Sequence, residues 1–266
     1  RYMENVLIHK KSDTNTVKLQ LNWWKSEIGN QLLINVTPNI IAKCRDKLLT
    51  EKTPKGIRRT PSTVIRYLAA ISHAFTIAMK EWEWIETNPV LRITKPIENK
   101  ARIRFLDDEE RERLLDACKQ SKNKLLYTCV ILAISTGMRS SEIKNLKWKD
   151  VDLVKCRITI HETKNGDRRI VPLVGHAQEQ LQDLFFKKSP NENLVFPSPR
   201  ESRVDKPMRF SMWWYLALEQ AKIEDFRFHD LRHCCASYLA MNQASIAEIA
   251  EVLGHKTFAM VKRYSH

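Results

Sequence analysis

The feature that most constrains the fold is a run of helix start and stop signals at the C-terminal end of the chain, residues 228–266. Ser245 and Glu248 have the spacing of a capping box, in which two side chains satisfy the first free amides of a helix. Gly254 is the residue type that most readily takes the left-handed conformation at a helix end. The stretch is therefore predicted to fold as consecutive short helices packed on a core, which favours a mainly helical domain.

Polar residues are spaced along these predicted helices. His229 and Arg232 are three residues apart, so they would share one helix face that carries an imidazole beside a permanent cation. His255 follows the helix stop, and Thr257 is placed to cap a further short helix that holds Tyr264. Taken alone, a tyrosine on an amphipathic helix is more often a core anchor than a reactive group. Only matching residues elsewhere in the chain can favour chemistry.

The charge of the chain favours a polyanionic partner. Its 266 residues include 45 Lys and Arg against 31 Asp and Glu, which gives a net charge of +14. Such an excess attracts nucleic acid. No apolar run is long enough to cross a bilayer, and no lipidation motif accompanies a basic amphipathic helix. The sequence therefore predicts a soluble protein with no membrane partner.

The cysteines indicate a reducing compartment. They have neither the spacing of a disulfide framework nor that of a zinc ribbon, and no secretory signal precedes them. The six residues are Cys44, Cys118, Cys129, Cys156, Cys234 and Cys235. We therefore expect a cytoplasmic protein, associated with the nucleoid when it binds DNA. Arg1 is not an initiator methionine, so the sequence is consistent with a fragment or with a chain from which terminal residues were removed.

The first part of the chain, residues 1–96, is predicted to be a small helical bundle. One helix runs from Val17 to Ile28, and Thr37-Pro38 and Thr60-Pro61 each open another. Between the second and third helices lies a basic, turn-rich segment. Its candidate DNA-binding residues, with one from the helix that follows, are Lys55, Arg58, Arg59 and Arg66. They are suited to phosphate contacts, although a merely solvated surface explains the cluster almost as well.

A linker at residues 97–104 is predicted to join this bundle to a second domain, residues 105–266. Asp107 and Glu110 have capping-box spacing, and the acids around them complement the helix dipole better than they suggest a metal site. Farther on, Cys156, Ile158 and Ile160 alternate like a strand. A second strand from Ile170 to Leu173 would pair with it through the Asn165-Gly166 turn.

Several kinds of chemistry can be set aside. The chain has neither a GxxxxGK[ST] phosphate loop nor a GxGxxG dinucleotide motif. His161 begins a partial HExxH zinc motif that lacks the second histidine. The spacing of His229, His233, Cys234 and Cys235 does not match a tetrahedral metal site. We therefore expect no cofactor and no metal.

One set of polar residues suits a phosphodiester substrate. Its members are Arg139, Lys164, His229, Arg232, His255 and Tyr264. Tyr264 is the only plausible nucleophile in the set. Attack on phosphorus builds negative charge on the non-bridging oxygens, and guanidinium groups bind such oxygens through paired hydrogen bonds. A phenol with a pKa near 10 needs a proton acceptor, and the departing sugar oxygen needs a donor. His229 and Lys164 can fill these two roles, and Glu142 can fix Arg139 or a histidine.

Five motifs then point to one known family. They are TGMRSSE, TKNGDRR, HDLRH, LGHK and the terminal KRYSH, in that order. With them the second domain resembles the tyrosine recombinase (phage integrase) family, and the first resembles that family's helical, SAM-like core-binding domain. The resemblance implies a mainly α (α+β) fold in which a small helical bundle is joined to a mostly helical catalytic domain with a small antiparallel β-sheet.

The resemblance also implies roles for individual residues. Those that match the family's active-site positions are Arg139, Lys164, His229, Arg232 and His255, with Tyr264 as the nucleophile. The implied reaction is attack on double-stranded DNA to give a 3′-phosphotyrosine and a free 5′-hydroxyl, followed by strand exchange through the reverse step, without ATP or metal. The implied assembly is a homotetramer on paired recombination sites, with accessory DNA-bending or directionality factors.

Two departures from the family pattern stand out. Cys234 and Cys235 occupy positions where the family commonly has Thr and a larger apolar residue, which concerns packing more than chemistry. The given sequence stops two residues beyond Tyr264, short of the tail that related enzymes dock onto a neighbouring protomer. It also starts without an arm-type DNA-binding domain, which a full-length protein could carry before Arg1. The second departure concerns assembly rather than the reaction.

The first interpretation is a site-specific DNA recombinase, the integrase of a phage or genomic island. A type IB topoisomerase-like activity shares the chemistry and would relax supercoiled DNA without a specific site. A helical DNA-binding regulator without catalysis would need only the basic charge and the bundle. That alternative leaves the joint occurrence of the six candidate catalytic residues unexplained.

Overall fold

The computed structural model describes residues 1–9, 14–98, 104–161, 168–198, 206–255 and 257–264. The chain divides into two compact units, Arg1–Ala101 and Arg102–His266. Their assignment as a core-type DNA-binding domain and a catalytic domain remains a prediction. Lys164 and the Asn165-Gly166 turn lie outside the described residues.

The first unit is a small bundle of helices, as the sequence predicts. Its helices are α1 (Tyr2–Asn5), α2 (Thr14–Ile28), α3 (Pro38–Thr50) and α4 (Pro61–Lys80). Trp24 is only 1% exposed at the centre of the core, and its indole nitrogen donates to the carbonyl of Tyr67 at 2.8 Å. Thr60 caps α4 by accepting from the amide of Thr63. The side chains of α2 and α4 thus form one hydrophobic core with those of α3.

The second unit is mostly helical. Its helices are α5 (Asp108–Gln120), α6 (Leu126–Thr136), α7 (Ser140–Lys144), α8 (His176–Lys187), α9 (Ser211–Gln220), α10 (Asp230–Met241) and α11 (Ile246–Leu253). The predicted capping box at Asp107 and Glu110 is confirmed at the start of α5. Helix α6 lies at the centre of this unit, buried on most sides, and it packs against α5, α8 and α10.

A small antiparallel sheet completes the second unit. Its strands, in the order β1-β2-β3, are β1 (Val151–Asp152), β2 (Arg157–Ile160) and β3 (Arg169–Pro172). Ile160 pairs with Arg169 at the end of the β2–β3 ladder. Cys156 was predicted to lie in the strand, which is wrong. It precedes β2 with a φ of 49°, a conformation that belongs to a turn rather than to a strand.

The C-terminal stretch has the predicted start and stop signals. Ser245 and Glu248 form the capping box of α11, and Gly254 ends that helix with a φ of 64°. The predicted helix around Tyr264 is instead a pair of single 3₁₀ turns, Phe258–Met260 and Lys262–Tyr264. Thr257 makes no side-chain cap there. Three-residue turns are stabilised mainly by packing, so Tyr264 is held by its surroundings.

No described helix is both long and apolar enough to span a membrane.

Gly137 ends the central helix at the point where α10 and α11 approach it. It ends α6 with a φ of 60°. A Cβ at this position would lie 2.5 Å from Cδ2 of Leu253 and 3.2 Å from Sγ of Cys235. The chain therefore needs glycine here for two reasons, the backbone conformation and the close approach of α10 and α11.

We predict that Gly137→Ala lowers the free energy of unfolding by about 2–5 kcal/mol. A left-handed backbone costs an alanine roughly 1–2 kcal/mol, and forced overpacking costs about 1–3 kcal/mol. Gly56→Ala is the matched control, because Gly56 has a φ of +76° with nothing within 4 Å of the added Cβ. Urea unfolding followed by tryptophan fluorescence measures both. An equal loss in the two variants would contradict the packing argument.

Candidate active site

One buried carboxylate joins two arginines from distant parts of the sequence. Glu142, in the first turn of α7, is 5% exposed and accepts a hydrogen bond from Nη1 of Arg139 at 2.9 Å. The backbone amide of Arg139 donates to the same carboxylate at 2.8 Å. Arg169, at the start of β3, donates from Nη1 and Nη2 to its two oxygens at 2.9 and 2.7 Å. Glu142 therefore fixes both guanidinium groups, as predicted for Arg139.

The arginines keep Glu142 ionised. Burial alone would raise the pKa of its carboxyl group, but the hydrogen bonds from Arg169 and Arg139 and their positive charges outweigh burial and lower the pKa below 4.5. The carboxylate is thus charged at neutral pH. Glu142 and the two arginines that it binds therefore carry one net positive charge.

Arg232 is anchored by the ends of two helices. Its side chain is buried, and it donates to the carbonyl of Gly137 at 2.6 Å and to that of Leu253 at 2.5 Å. Both carbonyls lie at helix C-termini, where backbone oxygens lack partners within the helix and carry partial negative charge. Burial lowers the pKa of Arg232 to about 10, and the charges of Arg139 and Arg169 add to this fall. Arg232 therefore stays protonated at neutral pH and belongs to the same cluster.

Tyr264 is buried beside this cluster. It is 1% exposed and packs with Ala236, Ile249 and Leu253. Its hydroxyl group is hydrogen-bonded to Nδ1 of His233. The phenol therefore faces a packed surface. Tyr264 also interacts electrostatically with Arg232, so the hydroxyl and the guanidinium groups share one region of the unit.

The two predicted histidines lie at helix ends near the same residues. His229 is the N-cap of α10, and its ring lies edge to face with that of His233 at a centroid distance of 5.6 Å. His255 directly follows Gly254, and its amide donates to the carbonyl of Ala250 at 2.8 Å. Lys164 lies outside the described residues, so its part in the site remains a prediction.

The cysteines next to His233 point to different neighbours. Sγ of Cys234 accepts from the amide of Leu106 at 3.3 Å, whereas Sγ of Cys235 lies 3.9 Å from the carbonyl of Ser135. Burial raises the pKa of the Cys234 thiol to about 11 and that of Cys235 to about 12. Within the part of the chain that the structure describes, no three His, Cys, Asp or Glu side chains are grouped so as to hold a metal ion.

The candidate DNA-binding residues of the first unit are placed unequally. Lys55, Arg58 and Arg66 are exposed. Arg59 is partly buried, with Nη1 3.6 Å from Glu51 and its guanidinium group 5.5 Å from the ring centroid of Tyr67. Three of the four are therefore accessible on the surface of the first unit, and Arg59 is engaged within it.

Two residues of this arrangement were not assigned a role from the sequence. Arg169 precedes Val171 by two positions, so the alternation of a strand places both on the inner face. A buried arginine needs a partner of opposite charge, so an arginine at an inward-facing strand position predicts a carboxylate beside it. This signal can be read from the sequence. The sequence presents His233 only as a candidate metal ligand. Its contact with Tyr264 depends on how the last residues fold back onto α10, which no spacing rule supplies.

The arrangement is suited to binding and attacking a phosphate diester. Arg139 is the most accessible of the three arginines, with 23% of its side chain exposed. Arg169 and Arg232 are more deeply buried, and the positive charges of the three arginines act on one another. Guanidinium groups held in this way can stabilise the charge that develops on phosphate oxygens, and the only phenol nearby is that of Tyr264 among the described residues.

Comparisons with known proteins support the same reading. The model of the phage integrase family matches residues 104–266. The shufflon-specific DNA recombinase of Escherichia coli is 34% identical over 100% of this chain and 67% of its own length. The integrase of Salmonella phage P22 is 29% identical over 97% of this chain and 72% of its own length. This chain therefore spans about two thirds of the relatives it matches.

The fold is that of a solved integrase. A lambda integrase dimer bound to a COC′ core site superposes with a TM-score of 0.78 over 100% of this chain and 93% of that chain, at 21% sequence identity. At this identity the likeness concerns the fold. The predicted fold, mainly helical with a small antiparallel sheet, is confirmed.

We predict that Glu142→Gln lowers the free energy of unfolding at neutral pH by about 3 kcal/mol, because it removes the buried counter-ion of the arginines. The folded state holds the pKa of Glu142 below 4.5. Its contribution is therefore complete above that pH and is lost as the pH falls through the folded pKa. The variant should show a shallower loss of stability on acidification below about pH 4.5 than the parent chain.

Urea unfolding at a series of pH values measures this difference. Glu109→Gln is the matched control, because the side chain of Glu109 is 90% exposed. It should leave both the stability and its pH dependence nearly unchanged. If Glu142→Gln followed the same curve as the parent chain, the carboxylate would not be the group that holds the cluster together.

Proposed function

Because the chain belongs to the phage integrase family, we propose that it is a site-specific DNA recombinase of the tyrosine type, which breaks and rejoins DNA through a covalent protein–DNA intermediate. Its relatives include a shufflon-specific DNA recombinase and a phage integrase. We propose further that it integrates or excises a mobile element such as a phage or genomic island. The observation that carries the proposal is the buried cluster of Arg139, Arg169 and Arg232 beside the hydroxyl of Tyr264.

The reaction begins with the oxygen of Tyr264. It attacks the phosphorus of one DNA strand, forms a new P–O bond and expels the 5′ oxygen of the next nucleotide. The phenol gives up its proton and the leaving oxygen gains one, so the products are a 3′-phosphotyrosine and a 5′-hydroxyl. A 5′-hydroxyl from another strand then attacks the phosphotyrosine and releases Tyr264. The number of phosphodiester bonds is conserved, so no energy source is consumed.

The arginines stabilise the negative charge that develops on the phosphate during this step. Two negative charges spread over the non-bridging oxygens as the phosphorus becomes five-coordinate, and Arg139 and Arg232 neutralise them. Fixed guanidinium groups need no reorganisation during the reaction, which is why buried ion pairs and backbone carbonyls hold them beforehand. His229, His255 and Lys164 are the proposed groups for proton transfer and for additional contacts to the phosphate.

The phenol starts from a protected position. Its hydroxyl is hydrogen-bonded to His233 and is not exposed to water. Before it can attack, the hydroxyl has to leave His233 and approach the phosphate. The 3₁₀ turns that carry Tyr264 contain few backbone hydrogen bonds, so a small rearrangement there costs less than one in α10 or α11.

Double-stranded DNA is the proposed partner, and a homotetramer on paired sites is the proposed assembly. Exchange of strands between two duplexes requires four cleavages, one for each protomer of such a tetramer. The first unit contributes exposed basic residues for the DNA backbone, Lys55, Arg58 and Arg66. Accessory DNA-bending or directionality factors would select the direction of the reaction.

Tyr264→Phe should abolish the covalent adduct with DNA. A nicked half-site duplex traps the intermediate, because the short strand beyond the nick diffuses away and cannot rejoin. The adduct is measured by its altered migration on a denaturing gel. Phenylalanine lacks the attacking oxygen, so no adduct is expected even at DNA concentrations that saturate binding.

Tyr238→Phe is the matched control, since the partly buried Tyr238 of α10 also makes a hydrogen bond with its hydroxyl, which donates to the carbonyl of Leu106 at 2.8 Å. Its loss should cost about 1 kcal/mol of stability while adduct formation continues. Adduct formation by Tyr264→Phe, or its absence from a parent chain that binds the DNA, would refute the assignment. Relaxation of a supercoiled plasmid without any recombination site would favour a topoisomerase-like activity instead.

Binding to DNA should weaken steeply with salt. Each phosphate that the protein neutralises releases counter-ions, so the logarithm of the association constant should fall linearly with the logarithm of the salt concentration. Arg58→Gln should reduce that slope by about 1, because Arg58 is exposed in the basic segment. Lys18→Gln makes the same change in charge on the exposed side of α2, outside that segment. Fluorescence anisotropy between 50 and 200 mM salt measures the slopes, and equal slopes for both variants would remove the basic segment from the interface.

A further inference from the structure

Arg169 has the most complete set of contacts in the cluster. It donates to both oxygens of Glu142, whereas Arg139 donates to that carboxylate from one side-chain nitrogen. A bidentate arginine–carboxylate pair is stronger than a single contact and has a defined orientation. Arg169 is also less exposed than Arg139, at 9% against 23% of the side chain. Glu142 is therefore bound mainly to Arg169.

This preference changes the charge that a phosphate would meet. If Arg139 and Glu142 were alone, their charges would cancel. With Arg169 present, the two arginines and the carboxylate carry one net positive charge. Because Arg139 is the more exposed of the two, that surplus lies on its side of the pair. The bond between Arg169 and Glu142 thus leaves Arg139 available to an anion.

Arg169 is also fixed from its other side. A Cβ at Gly254 would lie 2.7 Å from Cδ of Arg169 and 3.1 Å from its Nε. That Nε is buried without a hydrogen-bond partner among the described residues. The guanidinium group is therefore held between Glu142 and the end of α11. It connects β3 both to the helix start that carries Arg139 and to the turn that carries His255.

We propose that Arg169 is a positioning residue for phosphate binding, which neutralises Glu142 so that the charge of Arg139 is available to the scissile phosphate. The proposal rests on the proposed function, since it assigns Arg169 a part in the same reaction through Arg139. Arg169 itself does not touch the DNA. It differs from a purely structural ion pair because its effect passes through the charge of Glu142.

Arg169→Gln tests this role. The variant leaves Glu142 to pair with Arg139, so the rate of adduct formation on the nicked half-site should fall roughly tenfold to a hundredfold. This is less than the roughly hundredfold to thousandfold loss expected when a direct donor to the reacting oxygens is removed, because Arg169 acts through Arg139. The affinity for DNA should change much less, because most of it comes from other phosphate contacts. Arg157→Gln is the matched control, since Arg157 is an arginine of the adjacent strand that pairs with Asp152 at 3.4 Å. It should react at the parental rate.

A double variant separates charge from structure. Arg169→Gln combined with Glu142→Gln removes the carboxylate that would neutralise Arg139, so it should react faster than Arg169→Gln alone. Acidification gives the same test in the single variant. Protonation of Glu142 removes its charge, so the rate of adduct formation by Arg169→Gln should rise relative to that of the parent chain. A purely structural role predicts neither recovery. Circular dichroism checks that each variant is folded.

The outcomes separate the two proposals. A parental rate for Arg169→Gln, or a double variant no faster than the single one, overturns this inference while the recombinase assignment stands. A parent chain that binds DNA but forms no adduct overturns the assignment and this inference with it. If Arg169→Gln does not fold, Arg169→Lys decides, because lysine keeps the charge but loses the bidentate geometry. Its rate should fall only a few-fold, and a parental rate or a loss above roughly a hundredfold would contradict the proposal.

Discussion

The site depends on one buried carboxylate, that of Glu142. Burial of a charge is costly unless a partner compensates it, and three buried or partly buried arginines in one region would repel one another without a counter-ion. Glu142 bonds Arg139 and Arg169 directly, and its charge also stabilises the protonated form of Arg232. The start of α7 and strand β3 are therefore joined through a single side chain, whose charge also acts on Arg232 of α10.

Backbone carbonyls supply the rest of the support. Arg232 donates to Gly137 and Leu253, which lie at the ends of α6 and α11. Each helix is ended by a glycine in the left-handed conformation, and each end leaves a carbonyl that needs a donor. The two helix stops thus serve both folding and function, because the groups that they leave unpaired are the groups that hold the arginine. The position of Arg232 in the candidate site is in this way a consequence of ordinary helix termination.

Tyr264, the proposed nucleophile, is arranged differently from the arginines. Tyr264 lies in a short turn that is held by side-chain packing and by His233, with little backbone hydrogen bonding of its own. Rigid charges with a less rigid nucleophile suit a reaction in which the phosphate is bound first and attacked afterwards. In the proposed reaction, burial of the Tyr264 hydroxyl would keep it away from water until DNA binds.

The sequence by itself determined the parts of this protein that depend on local rules. The helix caps at Asp107 and Ser245, the stop at Gly254 and the pairing of Arg139 with Glu142 follow from spacings of three residues or from the conformational freedom of glycine, and the five ordered motifs identified the family. Only the tertiary structure decided which distant groups share the site. Arg169 is 27 residues from Glu142, and His233 is 31 residues from Tyr264. Contacts of that kind depend on how a sheet and two helix ends close around one buried charge, and no periodicity along the chain encodes that closure.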